Sequence, residues 1–280
     1  MHDEPNAAFE SELARLEQDA ERQRNDAERA VRDATRWHNL CMTVRQSLKK
    51  HWWVSVIRTL QHESDFLRAQ RGSSHAEVEL FESIYRAARQ QADGIMASFP
   101  SLVAEECSRH KLTLDETSRH PRYTFANGFV TVEVRESSYS AVIAPRDGEK
   151  VEIGADPEAV VEKLLSEKRR LLERPFNESK FLHRLYNHYR AIARDKKVAE
   201  GEPVPIRRIT ARMSRDIEKF SIDEFNVDLG RVVQKGDASV EGKVLELSQT
   251  RDTNSGMLLY GLESRGYIGF IAFKEVGSGG

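Results

Sequence analysis

FESELARLEQDAERQRNDAERAVRDATRWHNLC, residues 9–41, is the stretch from which the rest of the chain is read. Its small and apolar residues recur in alternating steps of four and three: Phe9, Leu13, Leu16, Ala20, then Ala27, Val31 or Ala30, Ala34, Trp37 and Cys41. Gln23 alone interrupts the series. A period near 3.5 residues keeps one stripe turned toward a neighbouring helix, the signature of a coiled coil. The residues between are Glu, Arg, Asp and Gln, as solvated flanks require. An alanine-rich stripe lets two helices approach closely but buries little area per turn, so it needs a partner to be dry. Phe9, Leu13, Leu16, Ala20, Ala27, Val31, Ala34 and Trp37 are therefore the expected interface with another chain or with a second copy.

Moving outward, the pattern continues through Val44, Leu48, Trp52, Val56 and Leu60 without Pro or Gly. This predicts one helix to about residue 70, roughly 90 Å long at 1.5 Å per residue. Trp52 falls on its core stripe, with Trp53 about 100° round the helix at the edge of the packed interface. Core packing accounts for the His51-Trp52-Trp53 run better than ligand stacking does. Gly72-Ser73-Ser74 is the first strong breaker, with Ser74 an N-cap. A second helix carries Val78, Phe81, Tyr85, Ala88, Ala92, Ile95 and Phe99, and is expected antiparallel to the first along residues 52–66. A third, short helix starts at Pro100. In this hairpin residues 7–40 outrun the second helix and look elsewhere for cover.

Composition agrees with extended helices. Charged residues make up 31% of the 280 and hydrophobic ones 39%, a balance rich in charge and lean in core. A net charge of −2 removes any global electrostatic drive toward nucleic acid or membrane, so a basic surface must be local. No run of about 18 apolar residues is present, which excludes a membrane-spanning helix. The acidic start, Met1-His-Asp-Glu-Pro5, lacks the apolar core of a signal peptide, and a cytoplasmic location is expected. Cys41 and Cys107 lie in helical patterns without metal-ligand spacing and are expected to be small buried apolar residues in a reducing compartment. Residues 277–280 read as an appended Gly/Ser tail.

After His110 the period changes to two. Residues 122–126, 129–135, 138–144 and 150–153 alternate or run β-branched, with Asn127-Gly128 and Arg146-Asp147-Gly148 as turns. This predicts a small antiparallel meander. A helix starting at Asp156-Pro157-Glu158 covers it with Val160, Val161, Leu164 and Leu165. The basic run at its end, Lys168 to Arg174, is expected to be a solvated face.

From Phe176 to about Arg194 an amphipathic helix turns Phe181, Leu182, Leu185, Tyr189 and Ile192 inward. A short helix follows at Ile206–Met213. Another begins at Ser221, with Glu224 at the capping-box position and Phe225, Leu229, Val232 and Val233 on its buried face. Residues 242–247, 257–260 and 267–273 read as strands. Three helices followed by a hairpin resemble a winged helix over residues 176–276, a likeness of element order over about a third of the chain. In members that read DNA the third helix enters the major groove. Here that helix starts with Asp223, Glu224 and Asp228, which repel phosphate, so the resemblance implies a protein-contact module. Arg207, Arg208, Arg212, Arg215 and Arg251 form the alternative, a surface that positions a DNA backbone without reading sequence.

Signatures of phosphate-binding loops, metalloprotease helices, paired cysteines and nucleophile elbows are missing. His183 and His188 are five apart, off the spacing of a helical metal pair. No catalytic residue, metal or cofactor is expected. The fold class is α+β: a helical hairpin or coiled-coil arm over 1–111, a small sheet domain over 112–175 and a winged-helix-like module over 176–276. The expected role is a non-catalytic assembly subunit, the alternative a DNA-associated regulator that dimerises through the arm.

Overall fold

The computed structural model of the chain describes residues 4–275 except 196 and 237, with side chains from residue 9 onward. The predicted tail at 277–280 lies outside the described residues. Helix and sheet are both present, and the chain divides into two compact units, residues 1–94 and 95–280. This differs from the expected boundaries: residues 95–111 belong with the sheet, and the meander and the C-terminal module share one unit. No helix among the described residues is long and apolar enough to cross a membrane.

The first unit holds α1 (Glu4–Lys49), α2 (Trp53–His62), α3 (Ser64–Gln70) and most of α4 (His75–Ala97). The single helix expected to reach residue 70 instead ends at Lys49. His51 adopts a left-handed conformation, φ 55°. The Trp52 N–H reaches the Ser47 carbonyl at 2.9 Å and the His51 N–H reaches that of Leu48 at 3.1 Å. These two bonds close a Schellman motif, with histidine where glycine is usual. The chain reverses there, and α2 returns along α1 with Val54, Val56, Ile57 and Leu60 buried. Trp52 and Trp53 are half-buried at this turn rather than in a continuous stripe, and the Lys50 ammonium lies 4.0 Å over the Trp52 ring.

On α1 the covered residues are Leu40, Val44 and Ser47, with Trp37 half-buried between Phe66 and Phe81 at 5.2 and 5.8 Å. Cys41, expected on this face, is exposed; Leu40 takes its place because the packed stripe is turned by one residue. α4 packs beside α2 and α3, tied by Gln61 to the Tyr85 hydroxyl at 3.2 Å and by an Arg71–Glu82 ion pair; because the chain has already reversed at His51, α4 does not face one continuous first helix as the pattern predicts.

The second unit opens with α5 (Phe99–Arg109), followed by an antiparallel meander in the order β1-β2-β3-β4. Its strands are Arg122–Phe125, Val130–Arg135, Ser140–Pro145 and Val151–Gly154. Asn127 and Ala126 both take positive φ in the first turn, and Asp115 accepts hydrogen bonds there from the Asn127 and Gly128 N–H groups at 3.0 and 2.6 Å. α6 (Pro157–Lys168) buries Val160, Val161 and Leu164, and ends in a wide π-helical turn, Arg169–Glu173.

Then come α7 (Glu178–Asp195), the two-residue strand β5 (Val204–Pro205), α8 (Ile206–Asp216) and α9 (Ile222–Lys235). β6 (Ser239–Val240), β7 (Lys243–Gln249) and β8 (Ile268–Glu275) finish the chain. The second sheet has the order β5-β8-β7-β6, so β5 pairs with the last strand, Val204 opposite Ile271. Residues 257–260, expected to be a strand, make only one bridge, Met257 to Ile268. They belong to a long loop that folds inward and buries Met257, Leu259 and Leu262. Phe225, Leu229 and Val232 of α9 join Leu185, Tyr189, Ile206, Ile209 and Phe273 in one core.

Candidate interaction surfaces

On α1 the arm's stripe stands open to solvent. Phe9, Leu13, Leu16 and Val31 are 68, 65, 52 and 66% exposed. Ala20, Ala27 and Ala34 are exposed beside them, and Trp37 is the one predicted interface residue that packs within its own unit. At 100° per residue, Phe9, Leu13, Leu16, Ala20 and Val31 lie roughly 130° round the helix from Leu40 and Val44. The open stripe is therefore a second face and not an overhang of the face that α2 covers. Intrahelical ion pairs decorate its edges: Arg15 with Glu12 at 2.5 Å, Arg22 with Asp19 at 3.7 Å, and Arg24 with both Glu21 and Glu28 at 3.8 Å. Such exposed pairs are worth only tenths of a kcal/mol, roughly 0.3–0.5 each, and leave the carboxylates open to better partners.

α9 is the reverse case. From Ser221 to Val233 no residue is exposed. One face enters the core; the other is covered by the β3–β4 turn, the π-helical turn and the inward loop. Asn226, fully buried, donates to Asp147 Oδ2 and to the Leu258 carbonyl, both at 3.0 Å, and accepts from the Tyr260 N–H at 2.8 Å. The Tyr260 ring meets Phe129 of the meander edge-on at 5.5 Å. Gly230 sits so near this loop that a Cβ would lie 2.2 Å from the Tyr260 carbonyl oxygen.

The acidic residues that lead α9 have intramolecular partners. Arg170 hydrogen-bonds Asp223 and lies 3.1 Å from Glu224 and 2.6 Å from Glu167. Arg174 pairs with Asp228 and reaches Glu224 at 3.5 Å. The solvated face expected for this basic run is thus corrected for Arg170 and Arg174. They are half-buried because Arg170 and Arg174, four apart, meet Glu224 and Asp228, also four apart. The Ser221 hydroxyl donates to Asp223 instead of capping a backbone N–H, so the expected capping box is not formed.

Burial opposes ionisation of Asp223, but the hydrogen bonds from Arg170 and Ser221 outweigh it and hold the carboxyl below the usual range. At Asp228 burial outweighs the hydrogen bond from Arg174 and the pKa rises: its Oδ1 has no hydrogen bond, and Arg231 stands 3.8 Å from that oxygen. Arg170 is held firmly charged; burial works against that, and the bonds to Asp223 and Glu167 overcome it.

Of the five predicted phosphate contacts, two are engaged elsewhere. Arg207 donates to Asp147 at 3.1 Å and to the Gly256 carbonyl at 2.9 Å, joining the C-terminal module to the meander. Arg212 pairs with Asp195 at 2.6 Å and Asp216 at 3.5 Å. Arg208, Arg215 and Arg251 are exposed. The residues that sequence reasoning passed over are Asn226, Asp147 and Gly230. Their roles depend on a loop and a turn far away in the chain, and no local pattern announces them.

Among the described residues no group of three or more His, Cys, Asp and Glu side chains is placed to hold a metal ion. Burial, reinforced by Glu106, pushes the Cys107 thiol up to about 11, far from a reactive thiolate. His188 is held below its ordinary pKa by burial, with Arg212 and Arg184 adding to the effect and Asp216 opposing it. Compared with known proteins, the chain matches no family model, no curated protein and no solved structure.

Proposed function

We propose that this protein is a non-catalytic subunit of a larger assembly, joined to its neighbour through α1. The observation that carries the reading is the open face of residues 9–31, where Phe9, Leu13, Leu16 and Val31 are each more than half exposed along one helix. Scattered surface apolar residues need no explanation, but a regular stripe about three turns or more long, without cover, marks a contact surface.

The C-terminal module supports a protein-contact role in the same assembly. Its order α7-β5-α8-α9-β6-β7-β8, with β5 paired to β8, resembles a winged helix, and its third helix is enclosed on both sides. A DNA-reading role needs that helix free to enter a groove. Of the five arginines on which the alternative of a DNA-associated regulator rests, Arg208, Arg215 and Arg251 face outward while Arg207 and Arg212 are engaged within the fold, a weak basis for backbone contact.

The test is to recover the assembly from the native cell with wild-type chain and with Leu13→Asn/Leu16→Asn. Amide hydrogen exchange then follows residues 9–31. The expected result is strong protection of 9–31 in the assembly, and loss of the assembly in the variant with an unchanged melting temperature for the purified chain. An assembly indifferent to both substitutions, or one that leaves 9–31 unprotected, overturns the reading.

A further inference from the structure

The chemistry of the arm's flanks says what lies on it. Along residues 9–26 the positions bordering the apolar stripe are Glu10, Glu12, Glu17, Asp19, Arg24 and Asp26, five acids and one base. Arg24 is already drawn to Glu21 and Glu28 on its own helix. Bordering positions are where paired helices exchange ion pairs and choose their partners.

A second copy fits this pattern poorly. In a parallel pair each flank residue meets the one five positions on in its neighbour. Glu12 then faces Glu17 while Asp19 faces Arg24, so repulsion and attraction cancel. In an antiparallel pair the flank Glu12, Asp19, Asp26 faces itself, acid on acid, and on the other flank Glu17 faces Glu17 while only Glu10 and Arg24 attract. The alanines at 20, 27 and 30 supply too little apolar burial to override this. A nucleic acid or an anionic membrane meets the same repulsion.

We propose that the occupant of the 9–31 face is a helix of a different protein, whose apolar stripe is bordered by lysine or arginine on both sides. The inference rests on the assembly role above and adds the partner's chemistry. Because the alanine-rich contact is thin, charge supplies much of the affinity, and binding weakens steeply with salt.

Three synthetic helices of about four heptads test it. They share one leucine/alanine stripe and differ only in having Lys, Gln or Glu at the bordering positions. Each is titrated into the full chain at low and high salt, and the chain alone is followed by light scattering. The Lys-bordered helix is expected to bind about tenfold or more tighter than the Gln-bordered one at low salt, with the gap closing at high salt. The Glu-bordered helix is expected not to bind, and the chain alone to stay monomeric. In Glu12→Lys/Asp19→Lys/Asp26→Lys the preference is expected to pass to the Glu-bordered helix. Equal binding of the Lys and Gln helices, or a dimer of the chain alone, overturns the inference and leaves the assembly role standing. No binding by any helix together with no self-association overturns both.

Discussion

Arg170 and Asp223 show how one residue pair fixes two segments more than 50 positions apart. Asp223 is 2% exposed, and removing its cation strands a buried carboxylate. Arg170→Ala is expected to cost about 2–3 kcal/mol at neutral pH, below the full buried-pair penalty because the arginine is about a third exposed. The sign with pH follows from linkage. In the wild type the folded pKa of Asp223 lies below the ordinary 3.8, so its contribution is complete above that value and lost as pH falls further. In the variant burial is opposed only by the Ser221 hydroxyl and the Glu224 N–H, so the folded pKa lies higher than in the wild type and the gap between the two proteins widens as pH rises. Urea melts of both proteins from pH 3 upward are expected to show the gap smallest in acid; a gap that stays constant would rule out this account. Gly230→Ala tests the other face of α9. A Cβ 2.2 Å from a carbonyl oxygen must displace the loop, at a cost of about 1–3 kcal/mol by the same melts.

At the scale of elements, periodicity was the readable part. The 3.5-residue stripe of α1, the helix at Pro157 and the alternating strands of the meander all stand near the places their patterns indicate, because each depends on neighbours in sequence. Helix ends were less readable. The break after Lys49 uses histidine in a left-handed cap, so no glycine marks it. Residues 257–260 alternate like a strand yet bury Met257 and Leu259 from a loop. The basic run ending α6 looks solvated from its own segment alone, since its acids arrive from α9. His51→Gly relieves the left-handed strain and is expected to raise stability by about 0.5–1 kcal/mol, read as a higher melting temperature with α1 and α2 unchanged. A lower melting temperature would mean that the His51 side chain contributes more than its backbone costs.

At the scale of the whole molecule, the candidate contact surface was legible in outline and the second unit was not. Phe9, Leu13, Leu16 and Val31 were identifiable because a stripe advertises itself whether or not it is covered. The joining of meander and C-terminal module was invisible because it runs through single contacts, Asp147 to Arg207 and Asn226 and Phe129 to Tyr260, with Arg174 to Asp228 tying in the end of α6. The enclosure of α9 has a practical consequence for anyone cutting the gene. A fragment of residues 176–275 strips Asp147, Arg170 and Arg174 from their partners, and leaves Asn226, Asp223 and Asp228 without the groups that cover and neutralise that face of α9. It is expected to aggregate or to melt without cooperativity, whereas residues 95–275 give a single sharp transition. Scanning calorimetry of the two pieces decides it, and a shorter piece that unfolds cooperatively would show that the helix tolerates water after all.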